Sequence, residues 1–149
     1  MKSIRQLLSE GDRILSDLIT ADMDLSTALI DESMARRQLR EAEQALNLAE
    51  AEIVSEAALQ AKAKAGPLAG LAVSSDAYKM AVQLLVAKAH TGNLQRLAGK
   101  AKERQIAAED AKVGLERAQV RFSAIRHASN LLAGMLQAAN SVQEGNVTK

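Results

Sequence analysis

A histidine works as an acid, a base or a metal ligand only beside a group that orients it or shares the ion. On a helix such partners stand three and four positions away. His127 has Ser123, Ala124, Asn130 and Leu131 at those positions, and His90 has Val86, Ala87, Asn93 and Leu94. Neither set supplies a second ligand or a carboxylate. No Glu-x-x-His pair, the unit of two-metal sites in helical bundles, occurs. Gly92 with Gly99-Lys100 has the wrong spacing for a phosphate loop, and no strand precedes it. Gly66-x-x-x-Gly70 spells a helix-packing motif but encloses Pro67. With no cysteine, disulfides and thiolate chemistry are absent. These residues predict no catalytic site, metal, cofactor or small-molecule substrate: the chain reads as a binding protein and not an enzyme.

The basic residues form a second candidate set. Arg96, Lys100, Arg104, Arg117 and Arg121 could meet phosphates, with the salt-dependent affinity that such contacts bring. Glu103, Glu109, Asp110 and Glu116 interrupt the run, and no aromatic residues are interleaved for stacking on bases. Residues 1–60 hold 6 basic and 12 acidic side chains, whereas residues 61–149 hold 13 basic and 6 acidic, for a net charge of +1. The acidic first part therefore offers the basic part an internal partner, although each exposed pair contributes only about 0–1 kcal/mol. A solvated, internally paired helix face is the first reading here, and a nucleic-acid-binding accessory factor is the alternative.

The elements that carry these residues are helical. One Phe, one Tyr and no Trp leave the core to aliphatic residues, and the charged fraction is 25%. That composition suits long helices packed along a narrow seam. From Ser3 to Lys64 a seven-residue repeat places Ile4, Gly11, Leu18, Leu25, Glu32, Leu39, Leu46, Ile53 and Gln60 at one seam position. Leu7, Ile14, Ala21, Ala28, Ala35, Ala42, Ala49, Glu56 and Ala63 take the other. Glu32, Glu56 and Gln60 read as register-setting polar positions. Ser3 and Gln6 form a capping-box pattern at the start, and a kink near Gly11 or Asp22-Met23-Asp24 is compatible with the pattern. Gly66-Pro67 ends the helix. Ser74 or Ser75 starts a short helix over about 75–90, with Tyr78, Ala81, Val82, Leu85, Val86 and Ala89 on one face. After Thr91-Gly92-Asn93 the heptad resumes over 94–140, from Leu94 through Phe122 and Ile125 to Ala139. The prediction is an all-α fold: one domain over 1–140, a long antiparallel helical hairpin (coiled coil) with a short helix at its tip. Residues 141–149 lack periodicity and read as a flexible tail.

At the open end of the hairpin the N-terminal apolar stripe widens to Leu8, Leu15, Ile19, Leu29 and Ile30, and near the C-terminus Leu131 and Met135 flank the seam. A two-helix hairpin buries only a narrow stripe, so this surplus predicts a homo-oligomer, a dimer meeting as a helical bundle being the simplest. Leu8, Leu15, Leu18, Leu25, Leu132 and Leu136 are the expected interface residues, and the same seams could instead serve an unidentified protein partner. Membrane contact is not expected: the longest apolar run, Gly66 to Val73, is far short of a span, and acidic residues oppose the N-terminal stripe. The N-terminus meets charge too early for a signal peptide, which makes the cytoplasm the expected location.

The turn residues Gly92, Asn93 and Arg96, followed by the repeat through Ala111, Ala118, Phe122, Ile125 and Arg126, resemble small coiled-coil proteins encoded by bacteriophages in replication and recombination gene clusters. The resemblance covers about Ser75 to Leu136. It implies a phage or prophage origin, an accessory role near DNA metabolism and a location in the host cytoplasm.

Overall fold

A run of good helix formers with an apolar residue every three or four positions folds by laying that stripe against another helix. The computed structural model describes residues 2–63 and 68–147 and shows three helices: α1 (Ile4–Lys62), α2 (Asp76–Ala89) and α3 (Asn93–Val147). The two long helices pack antiparallel and the short one connects them, which is the all-α hairpin expected from the heptads. The Gly66-Pro67 break, the helix end expected at Lys64, and Thr148 and Lys149 lie outside the described residues.

The ends of the helices are set by local hydrogen bonds. At the start of α1 the Ser3 backbone N–H donates to Gln6 Oε1 (2.9 Å), and the Gln6 N–H donates to Ser3 Oγ (3.3 Å). This reciprocal capping box satisfies two amides that the first turn leaves without carbonyl partners. α1 then continues through Gly11 and through Asp22-Met23-Asp24 without a break. Of the two serines that could start α2, Ser75 does so: its Oγ accepts from the Tyr78 N–H at 3.2 Å and donates to the Ala72 carbonyl at 2.6 Å. Asn93 is the first residue of α3, and the Gly92 carbonyl accepts from the Arg96 N–H. The Asn93 side chain accepts from the Arg96 guanidinium at 3.2 Å.

Packing divides the chain into two units, one of Met1–Ser33 with Asp110–Lys149 and one of Met34–Glu109. In the first, Leu7, Ala21 and Leu132 are buried, and Ile14, Leu18, Leu25, Phe122, Ile125 and Leu136 are half-buried. Gly11 allows close approach here: a Cβ at this position would stand 3.3 Å from Leu132 Cδ2. In the second, Ala57, Ala61, Leu68 and Tyr78 form a cluster, with Leu71, Ala81, Val82 and Leu85 packed on it. The chain enters that cluster through a turn at Gly70, whose φ of 79° favours a residue without Cβ. The Gly70 N–H donates to the Ala61 carbonyl at 3.3 Å, so the turn also occupies one of the carbonyls orphaned at the end of α1.

Two expectations are corrected. Glu56 and Ala63 were placed in the seam but are exposed, while Ala57 and Ala61 are buried. Beyond Ile53 the covered positions of α1 step by four. An α-helix drifts by about 20° per heptad against a strict seven-residue repeat, and here α2 and Leu68 cover the side toward which it drifts. The second correction concerns the tail, which stays helical to Val147. Each added residue in a formed helix gains a hydrogen bond without a new nucleation cost, and Ser141 Oγ donates to the Gln137 carbonyl at 3.0 Å.

Candidate interaction surfaces

Alanine supplies half of the buried apolar positions. Among the described residues ten apolar side chains are buried, and five of them are Ala21, Ala42, Ala57, Ala61 and Ala108. Alanine at a helix seam lets two backbones approach and costs no side-chain entropy, but it removes little apolar area from water. Many larger aliphatics nevertheless stand outside: nineteen large apolar side chains of the described residues are exposed. In the first unit they include Leu8, Leu15, Ile19, Met23 and Ile30 on α1 and Val113, Val120, Leu131 and Met135 on α3. Scattered exposed apolar residues are ordinary, but lines of them along one helix are the mark of contact surfaces.

The expected interface residues separate accordingly. Leu8 and Leu15, both 56% exposed, lie outside the seam and are free to meet another chain. Leu18, Leu25 and Leu136 are half-buried, and Leu132 is 7% exposed. Leu132, expected at an interface between chains, is instead covered within its own unit, against Gly11. It sits at a seam position of the heptad, and an antiparallel partner helix in the same chain satisfies that position first. Met23, which completes the α1 line, is masked in the sequence by its neighbours Asp22 and Asp24.

The basic residues are divided between the two units. In the second unit Arg96 is turned toward Asn93, and Arg104, half-buried, donates to Gln38 Oε1 at 2.8 Å. Lys100 lines a depression there with Gln38, Glu41, Ala42, Leu97 and Arg104. In the first unit Arg121 pairs with Asp24 at 3.2 Å, as the opposite charges of the two helices lead one to expect. Arg117 and Arg121 border a shallow depression on the outside of α3, with Val113, Val120 and Ala124 as its apolar floor and Glu116 on its rim.

His90 Nε2 stands 3.4 Å from Glu50 Oε1, a contact between α1 and the end of α2 that sequence neighbours could not reveal. His127 is exposed. Glu32 is buried in the seam at 7% exposure. Gln60 Oε1 is enclosed beside Leu85 and Lys88 without a hydrogen-bond partner. Among the described residues no group of three or more His, Asp or Glu side chains could hold a metal ion, and no helix is long and apolar enough to cross a membrane.

The class defined by this geometry is the all-α antiparallel helical hairpin with apolar outer faces. The chain has no significant match among family models, curated proteins or solved structures.

Proposed function

We propose that this chain is a non-catalytic, self-associating helical interaction protein that engages another protein through exposed apolar helix faces. The observation that carries the reading is the surplus of apolar side chains left outside the seam: among the described residues nineteen Leu, Ile, Met and Val side chains are exposed. Burying those outer side chains would each contribute on the order of 1 kcal/mol, which the hairpin alone forgoes. The α3 depression floored by Val113, Val120 and Ala124 is a suitable seat for a partner helix, because apolar ridges between charged rims are how amphipathic helices dock. The likeness to phage coiled-coil proteins directs the search for that partner toward nucleic-acid enzymes in the host cytoplasm. Contact of the chain itself with nucleic acid is less well supported, since Arg104 and Arg121 are engaged with Gln38 and Asp24.

Photo-crosslinking tests this. A photoreactive residue replacing Ala124, in the full chain exposed to an extract of its source cells, should yield a discrete protein adduct. That adduct should disappear when Val113 and Val120 are both changed to Ser. Labelling that matches the polar outer position Gln119, or that ignores the two serines, would refute the reading. A nucleic-acid adduct that weakens with salt and is lost on charge reversal of Arg117 and Arg121 would establish the alternative.

A further inference from the structure

We infer that the exposed stripe on α1 is a self-complementary face on which a second copy of this chain docks, antiparallel and centred on Ile19. The inference rests on the interaction reading only for the premise that these outer faces are contact surfaces. Leu8, Leu15, Ile19, Met23 and Ile30 are each 55% to 66% exposed. Measured from Ile19 they stand at −11, −4, 0, +4 and +11 residues. At about 100° per residue all five fall within an arc of roughly 80°, disposed evenly about Ile19. The stripe is therefore a palindrome.

A two-fold interface has that requirement: if residue i meets residue j of the mate, then j meets i. Antiparallel pairing centred on Ile19 puts Leu8 opposite Ile30, Leu15 opposite Met23, and Ile19 opposite its own copy. Every apolar member of the stripe then meets another apolar member over about 33 Å of helix. Leu29, at the edge of the stripe, falls opposite Ser9.

The polar residues obey the same symmetry. Asp12 and Ser26, both exposed, interrupt the stripe at −7 and +7 from Ile19. The two-fold brings each Asp12 carboxylate opposite a Ser26 hydroxyl, which can donate to it. None of the acids between Leu8 and Ile30 (Glu10, Asp12, Asp17, Asp22 and Asp24) falls opposite another acid in this register. A parallel, in-register pair would place Asp12 against Asp12 across the contact, where like charges repel. Charge and apolar spacing thus select one orientation and one register. Five apolar anchors per copy make a contact smaller than the ~800 Å² per partner of a standard stable interface. The dimer should accordingly dissociate in roughly the micromolar range.

Because the chain contains no cysteine, single cysteines test the register directly on the full protein. Under mild oxidation Ile19→Cys should form a covalent dimer, and Val120→Cys on α3 should not. A mixture of Leu8→Cys and Ile30→Cys chains should give the mixed dimer, while Leu8→Cys alone stays monomeric because its two copies lie about 33 Å apart. Sedimentation of the unmodified chain and of Ser26→Asp, which sets Asp12 against an acid, should show dissociation at least several-fold easier in the variant. Ile19→Lys should raise the dissociation constant by about tenfold or more, as expected at the centre of an interface, with helicity unchanged. A monomer throughout the range up to about 100 µM, efficient Leu8→Cys self-coupling, or indifference to Ser26→Asp would each overturn the inference. None of those outcomes touches the α3 crosslinking result, so a failed dimer removes the self-association and leaves the α3 partner reading to its own test.

Discussion

Gly99, Gly114 and Gly134 lie inside α3, exposed, and a Cβ added at any of them would find no atom within 4 Å. Glycine in a helix interior costs about 0.8–1.0 kcal/mol relative to alanine, because the unfolded chain loses more freedom on becoming helical. Replacement by alanine at each site should therefore stabilise the chain by about 0.5–1 kcal/mol. The sites are fifteen and twenty residues apart in sequence, far enough along a helix for their effects to add, so the triple variant should gain about 1.5–3 kcal/mol. For a chain of this size each kilocalorie corresponds to roughly 2–4 °C in Tm. Gly11 supplies the control, since its Cβ would press on Leu132 at 3.3 Å and the helical gain is offset by that contact. Urea denaturation followed by circular dichroism measures all four. A triple variant no more stable than the parent, or a Gly11→Ala gain equal to that of Gly114→Ala, would refute the assignment of these glycines to open helix surface.

Leu132→Ala should lose about 2–3 kcal/mol in the same assay, as buried leucines do, whereas Leu8→Ala and Leu15→Ala should change the stability of the monomer by under about 0.5 kcal/mol. Equal losses at Leu132 and Leu8 would return Leu132 to an interface between chains. Tyr78→Ala, in the α1–α2 cluster, should cost about 3 kcal/mol or more by thermal melting; a loss below about 1 kcal/mol would mean that the cluster does not hold α2. Ser75→Ala should cost about 1 kcal/mol through its missing cap, visible as faster amide exchange in the first turn of α2. Asp24→Asn should shift stability by less than about 1 kcal/mol, because both partners of the Arg121 pair are more than half exposed. A double-mutant cycle with Arg121→Gln measures that coupling.

The heptads were readable because each seam position alternates a large aliphatic with a small residue across many turns, as in Leu18 with Ala21 or Leu39 with Ala42, and burial follows that order through Ile53. The pattern loses its contrast where alanines crowd both sides of the helix, at Ala57, Ala58, Ala61 and Ala63. From Glu56 to Ala63 the choice between Ala57 and Ala63 is made by what covers the helix, and α2 arrives from fourteen residues further along the chain. The face of α2 was legible because Tyr78, Ala81, Val82, Leu85, Val86 and Ala89 recur at helical spacing while the charged Asp76, Lys79 and Lys88 fall outside it, and all six are covered. Among the candidate site residues, apolar type alone could not separate Leu132, which finds Gly11 within its own chain, from Leu15. The palindrome about Ile19 was present in the sequence, but it takes meaning only when exposure removes the seam residues Leu18 and Leu25 from the stripe.

Tyr78 is the one tyrosine of a chain that has no tryptophan, and it lies at 6% exposure among Ala57, Ala61 and Leu68. The protein consequently contains a built-in optical probe confined to a single locality. Its emission reports on the packing of α2 against α1, while far-ultraviolet dichroism sums over all three helices. Superimposable transitions from the two signals would mark one cooperative unfolding event. Earlier loss of the tyrosine signal would mark the α2 cluster as the part that opens first.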